Sequence, residues 1–256
     1  MVTVKNISDY INSLAPYSTQ CEWDNSGILV GDENKAVKKI GFALDLTGET
    51  LEDAIANKVD IIITHHPIIF KAQKSFLKGN MAYELASHGI CAISAHTCFD
   101  CAEGGINDVL CDILELSDVE GIPSEECVVP MARIGNLGYI NLLTPEEFAK
   151  IVSEKLGTTV RLAAADKGIS RVAVCGGAGM DFICDAVKMG ADAYVTGDLK
   201  HHEALDAQAM GITVVAAGHF ETENPAMAYL RKYIEEKFSD VETLLLKQSN
   251  PIKSIG

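Results

Sequence analysis

Six of the seven histidines fall in four short segments, His65-His66, His96, His201-His202 and His219, and only His88 stands apart. Imidazole nitrogens bind transition metals and carry protons near neutral pH, so this clustering is where chemistry is expected. Carboxylates accompany the clusters: Asp100 and Glu103 follow His96, Asp198 and Glu203 flank the second pair, and Glu221 and Glu223 follow His219. Adjacent side chains leaving a strand point in opposite directions, so His65 and His66 suit two cations side by side better than one. A carboxylate bridges two cations through its two oxygens, and Asp100 and Glu103 both qualify; spacing does not separate them. If a helix starts at His219, then His219 and Glu223 share a face at i and i+4 and can share a metal. The donors are nitrogen and carboxylate oxygen with no convincing thiolate, which favours Zn, Mn or Fe over Mg or Ca. Cys98 and Cys101 form a lone CxxC and read as small packing residues in a loop. Gly176-Gly-Ala-Gly179 follows a strand and precedes a helix, a place able to accept an anion. It lacks both GxGxxG spacing and a P-loop lysine, so tight turning is the expected role.

The elements that must carry these residues come from a self-comparison. Residues 39–66 lie on residues 171–198 without a gap, each reading strand, amphipathic helix, strand, with Asp60 to Thr64 against Asp192 to Thr196. With a different offset, Gly89 to Ala95 before His96 resembles Gly211 to Ala217 before Gly218-His219. The strands are near-continuous apolar runs, as in parallel strands covered on both faces. The expected fold is α/β: two duplicated α/β domains with mainly parallel sheets, the first from 1–125 with 225–256 and the second from 126–224. Ligands of open α/β sheets bind beyond the carboxyl ends of the strands, so a metal site is expected there, between the domains.

Between the copies, the acidic, turn-rich stretch Ser117 to Glu126 reads as a junction. Met131–Ile134 and Tyr139–Leu143 are predicted strands, and Thr144-Pro-Glu-Glu opens a helix to about Lys155 through a threonine cap and a first-turn proline. A helix from Pro225 to Phe238 and a strand from Glu242 to Lys247 close the chain, the strand returning to the first domain.

The 256 residues are 48% hydrophobic and 22% charged, which excludes disorder, collagen and coiled coil. A net charge of −15 disfavours a nucleic-acid groove. No segment approaches the ~20 apolar residues of a membrane span, and residues 1–16 lack the pattern of a secretory signal. The eight cysteines therefore read as reduced, buried thiols of a cytoplasmic protein.

Five strings, WDNSGILVG (23–31), THHPIIF (64–70), AHTCFDCAEGGIND (95–108), TGDLKHHEALDA (196–207) and GHFETE (218–223), together resemble the NIF-three-like dinuclear-metal family, whose bacterial members are labelled GTP cyclohydrolase I type 2 homologues. The resemblance covers nearly the whole chain. It implies two divalent metal ions per subunit held by His65, His66, Asp100, His219 and Glu223, with Asp100 and Glu223 as bridges. His96, His201 and His202 would stand nearby, either supporting the ligands from behind or facing substrate; chemically, His96 or one of His201 and His202 suits a proton shuttle at neutral pH. It implies a homohexamer and a metal-dependent hydrolase of a small molecule, either GTP, opened at its imidazole ring with release of formate, or another nucleotide or phosphoester. A non-enzymatic metal-binding or partner-binding assembly is the competing class. The family loop commonly reads like AHTNLDAAEGG; Cys98 and Cys101 depart from it and add a soft donor or an oxidation-sensitive spot beside the metals.

Overall fold

The computed structural model describes residues 1–125 and 127–253. Glu126, at the end of the stretch read as a junction, and residues 254–256 lie outside the described residues. In chain order the elements are α1 (Val4–Leu14), β1 (Gly27–Val30), β2 (Lys39–Ala43), α2 (Gly48–Ala56), β3 (Ile61–Thr64), α3 (Met81–Ser87), β4 (Cys91–Ser94), α4 (Thr97–Cys101) and α5 (Ile106–Ile113). There follow β5 (Ser117–Gly121), β6 (Arg133–Asn136), α6 (Pro145–Leu156), β7 (Arg161–Ala163), β8 (Arg171–Cys175), α7 (Ile183–Lys188), β9 (Ala193–Thr196), α8 (His201–Met210), β10 (Thr213–Ala216), α9 (His219–Lys237) and β11 (Glu242–Leu245). No helix among the described residues is long and apolar enough to cross a membrane.

The chain forms two compact units, one from Met1–Glu103 with Ala226–Ile252 and the other from Gly104–Pro225. The first unit holds a five-stranded sheet in the order β1-β4-β3-β2-β11, parallel except for β1. Strands β3 and β4 are buried at every position, as their unbroken apolar runs require. Val30, Ile62, Leu51, Leu85 and Leu246 belong to the core against one side of this sheet.

The second unit holds a six-stranded sheet in the order β5-β6-β8-β9-β10-β7, in which β8, β9 and β10 are parallel and β5, β6 and β7 antiparallel to their neighbours. Leu110 and Leu114, at the end of α5, pack in its core with Phe148, Val172, Val195 and Val215. The stretch read as a junction supplies β5, an exposed edge strand.

The duplication is visible in side chains as well as in strand order. Asp60 Oδ2 accepts the backbone N–H groups of Lys38 and Lys39 at 2.8 and 3.1 Å, tying the start of β3 to the start of β2. Asp192 Oδ2 does the same for Ser170 and Arg171 at 3.0 and 2.9 Å, at the start of β8. Each aspartate satisfies amides at a strand end and fixes the register of the parallel pair.

Three local expectations are corrected. Tyr139–Leu143 is not a strand: Ile140 is fully exposed, and only Leu143 forms a bridge, with Ile169. Only Leu143 packs against the core of the second sheet. The last helix starts at His219, ahead of Pro225, because Gly218 at φ +91° turns the chain into it directly after β10. The CxxC pair lies on α4 rather than in a loop, with Cys98 and Cys101 both buried. Helix α6 begins as expected, with Thr144 capping Glu147 reciprocally and Pro145 in its first turn.

Candidate metal centre

In the first unit the site grows from the carboxyl ends of β3 and β4. The amides of His65 and His66 continue the ladder onto Ala43 and Leu44 at 3.4 and 3.1 Å, which fixes the pair at the sheet rim. His65 is fully buried, and its Nδ1 lies 2.9 Å from the Ala95 carbonyl. His66 Nδ1 lies 2.7 Å from Asp45 Oδ1, and His96 Nδ1 2.8 Å from Asp24 Oδ1. A carbonyl or an ionised carboxylate only accepts, so each neutral ring carries its proton on Nδ1 and has Nε2 as its acceptor nitrogen. The three rings lie 5.0 to 5.5 Å apart between centroids, and each offers a donor atom within 4.8 Å of the other two.

Asp100 stands on α4, buried, with Oδ1 3.6 Å from His65 Nε2. Glu103 is exposed. Of the two acids that spacing left open, Asp100 is the one brought to the imidazoles. Helix α4 is short and is held in place by Asp24, whose Oδ2 accepts the Thr97 N–H at 2.9 Å and the Thr97 hydroxyl at 2.5 Å. Burial alone would raise the Asp24 carboxyl, but bonds from His96, Thr97 and the Asn25 amide hold it far below the usual carboxylate range. Burial pushes the Cys98 thiol up to about 11. It is therefore a neutral thiol in the core.

In the second unit the corresponding strand ends carry a different set. His219 opens α9 with Nδ1 2.8 Å from Asp198 Oδ2 and Nε2 3.1 Å from Glu223 Oε2. The bond to Glu223 raises His219, burial opposes it, and Asp198 adds to the rise, bringing it to about 9. A cation taking Nε2 replaces that proton. Gly177, at φ +60°, leaves the space that Glu223 needs: a Cβ there would run into Glu223 Oε1 and lie 3.1 Å from His219 Nε2.

The glycine-rich loop has no amides to spare for an anion at Gly176, Gly177 or Gly179. Asn107 Oδ1 takes the first at 2.8 Å, Thr222 Oγ1 the second at 3.0 Å and Thr196 Oγ1 the third at 3.2 Å. Close approach to His219 and Glu223 is what the glycines permit. A cavity of about 340 Å³ opens beside it, lined by Arg161, Asp181, Asp198, Lys200 and Glu203 among others. His201 and His202 start α8 and are both exposed, and neither lines this cavity. His88 caps α3 with Nδ1 2.9 Å from the Glu84 carbonyl, a purely local role.

Asp24 and Asp45 are site residues that a search for ligands passes over. Asp24 lies inside the WDNSG string, and Asp45 lies just past β2, with only its position at a strand end to single it out. Both orient imidazoles, a function that shows only once the rings are in place.

The donor set fits a divalent transition metal: imidazole Nε2 atoms fixed by bonds at Nδ1, with buried carboxylates beside them. Duplicated α/β units with such groups at the strand ends define a class of chains able to hold a metal ion. The chain belongs to the Duf34/NIF3 (NGG1p interacting factor 3) family, whose model matches residues 2–251. It is 34% identical over 257 residues to a Clostridium acetobutylicum protein named GTP cyclohydrolase 1 type 2 homolog, covering 96% of each chain. It is 32% identical to a Clostridium perfringens protein of the same name, covering 96% of this chain and 97% of that one. Among solved structures, a Staphylococcus aureus hypothetical protein superposes with a TM-score of 0.88 at 26% identity over 99% of both chains.

Proposed function

We propose that the chain is a metal-dependent hydrolase of a small anionic molecule. The observation that carries this reading is the repeated imidazole arrangement: His65, His66, His96 and His219 are each fixed at Nδ1 by an oxygen. Structural histidines have no need of four such anchors; metal ligands do.

In this reading the ligands of two divalent cations, Zn, Mn or Fe, are His65, His66, Asp100, His219 and Glu223. Such ions supply Lewis acidity and lower the pKa of water. The chain's own residues do the rest. Asp45, Asp24 and Asp198 orient the rings, and His96 receives a proton at Nε2 while Asp24 steadies the cation that forms. His201 and His202 are the proposed proton carriers at the solvent edge. From Ile61 to Tyr83 the chain bears Lys71, Lys74 and Lys78 and no carboxylate, which favours an anionic substrate in an otherwise acidic protein. GTP, through ring opening with formate release, is the substrate implied by the relatives' name, and other nucleotides and phosphoesters suit the same groups. A cytoplasmic homohexamer remains the proposed setting.

The test is turnover by protein reconstituted with Mn, Zn or Fe against GTP, other nucleotides and phosphoesters. Turnover lost in His66→Ala and Glu223→Ala supports the hydrolase. Tight stoichiometric metal binding with no turnover on any substrate rejects it in favour of a metal-binding or partner-binding assembly. Fewer than two metals per chain, or full metal retention in Asp100→Ala, rejects the ligand set.

A further inference from the structure

Two large aromatic side chains stand exposed at the edge of the histidine cluster in the first unit. Trp23 is 59% exposed and Phe70 is 47% exposed. Their ring centroids lie 5.7 Å apart at 52°, and both contact His96, at 5.8 and 6.4 Å. Exposed aromatics on mobile segments would be unremarkable, but the segments that carry these two are tied down at adjoining residues. Trp23 adjoins Asp24, whose side chain is fully buried and bonded to His96 and Thr97. Phe70 follows Ile69, whose carbonyl accepts the Asn25 side-chain amide at 2.6 Å, joining the two segments that carry the aromatics. The Asp24 bonds that orient His96 and the Asn25–Ile69 bond together hold the segments that carry an apolar, π-rich surface beside it. Folding gains little from leaving two such rings in water, whereas a flat ligand gains a stacking face at a fixed distance from a proton acceptor.

We propose that Trp23 and Phe70 form the subsite that binds the flat, unsaturated ring of the substrate and so select heteroaromatic molecules over aliphatic ones. This rests on the hydrolase reading for the neighbouring histidines, and it assigns the ring-binding role to two residues outside the ligand set. Stacking of a base on an aromatic side chain changes affinity by about 5- to 150-fold, enough to decide between substrates that share the same anionic group.

Trp23 is the only tryptophan in the chain, so its emission reports on this surface directly. The probes are GMP, AMP and ribose 5-phosphate, titrated against metal-free and metal-loaded protein. The expected result is emission that acrylamide quenches in the free protein, and that GMP and AMP, but not ribose 5-phosphate, change saturably. Phe70→Ala should weaken GMP about tenfold or more. Phe76→Ala, which removes another exposed aromatic of the same loop, should leave GMP binding unchanged. Calorimetry of GMP binding to Trp23→Ala and Trp23→Phe should show loss in the first and recovery in the second. A response to ribose 5-phosphate equal to that to GMP, no saturable response to GMP, or an emission already shielded from acrylamide by a second copy overturns the proposal. Turnover without any Trp23 response rejects this inference alone, and a saturable Trp23 response without turnover on any substrate rejects the hydrolase reading alone.

Discussion

Asp24 and His96 lie 72 positions apart in sequence, yet Oδ1 of one and Nδ1 of the other meet at 2.8 Å. One carboxylate thereby sets the tautomer of an imidazole and, through Thr97, the start of the helix that carries Asp100. Asp24→Asn can keep a neutral hydrogen bond but no longer steadies a charged ring. Turnover should fall in that variant, whereas metal affinity should fall about 10- to 100-fold in Asp45→Asn through His66 and in Asp198→Asn through His219, measured by competition with a chelating dye. Unchanged affinity in both variants would remove the orienting role of these acids.

Gly177→Ala should be costly out of proportion to one methyl group. The backbone there is left-handed, and the new Cβ meets Glu223 and His219. About 1–3 kcal/mol of stability should be lost, read as a lowered urea midpoint. Gly190→Ala, also at positive φ but in open space, separates the backbone cost from the collision and should lose less.

The register clasp in the second unit predicts a pH dependence. Burial would raise the Asp192 carboxyl, but Lys167 and the amides of Arg171 and Ser170 together lower it. A depressed folded pKa gives stability that is present above the unfolded value of about 3.9 and is lost as pH falls through the folded one. Asp192→Asn should therefore cost about 1–3 kcal/mol at pH 7, and the gap to the parent protein should narrow as pH falls below about 4. A gap independent of pH would show that the charge is not what matters.

Thiol reactivity should sort the cysteines by burial. Cys98 and Cys111 are pushed up to about 11 and about 12 by burial, whereas Cys184 is exposed. At pH 8 a thiol with a pKa near 11 is about one part in a thousand thiolate. Iodoacetamide should label Cys184 first in native protein, with Cys98 and Cys111 reached only on unfolding. Peptide mass mapping reads the order, and early labelling of Cys98 would contradict its placement in the core.

The parallel strands and their duplication were legible in the sequence because buried strands are written as unbroken apolar runs, and Asp60 and Asp192 recur at matching places. The histidine segments were legible because strand ends are where open sheets carry ligands. What stayed hidden depended on distant contacts. Asp45 has no local pattern, and Gly177 is explained only by Glu223 and His219, which arrive on α9. Tyr139–Leu143 has strand composition without a neighbouring strand to pair with. Pro225 read as a helix start because proline favours the first turn, yet the capping glycine at 218 had already begun the helix.

The pairing of β11 with β2 bears on how the chain is made. The strands of the second unit all lie within Gly104–Pro225, whereas the sheet of the first is completed only by Glu242–Leu245. During synthesis the second unit has all of its strands before the first acquires its last, although the first begins to emerge earlier. Until then the edge of β2 stands open to mispairing, and nascent chains arrested before Glu242 should be the ones that depend most on chaperones.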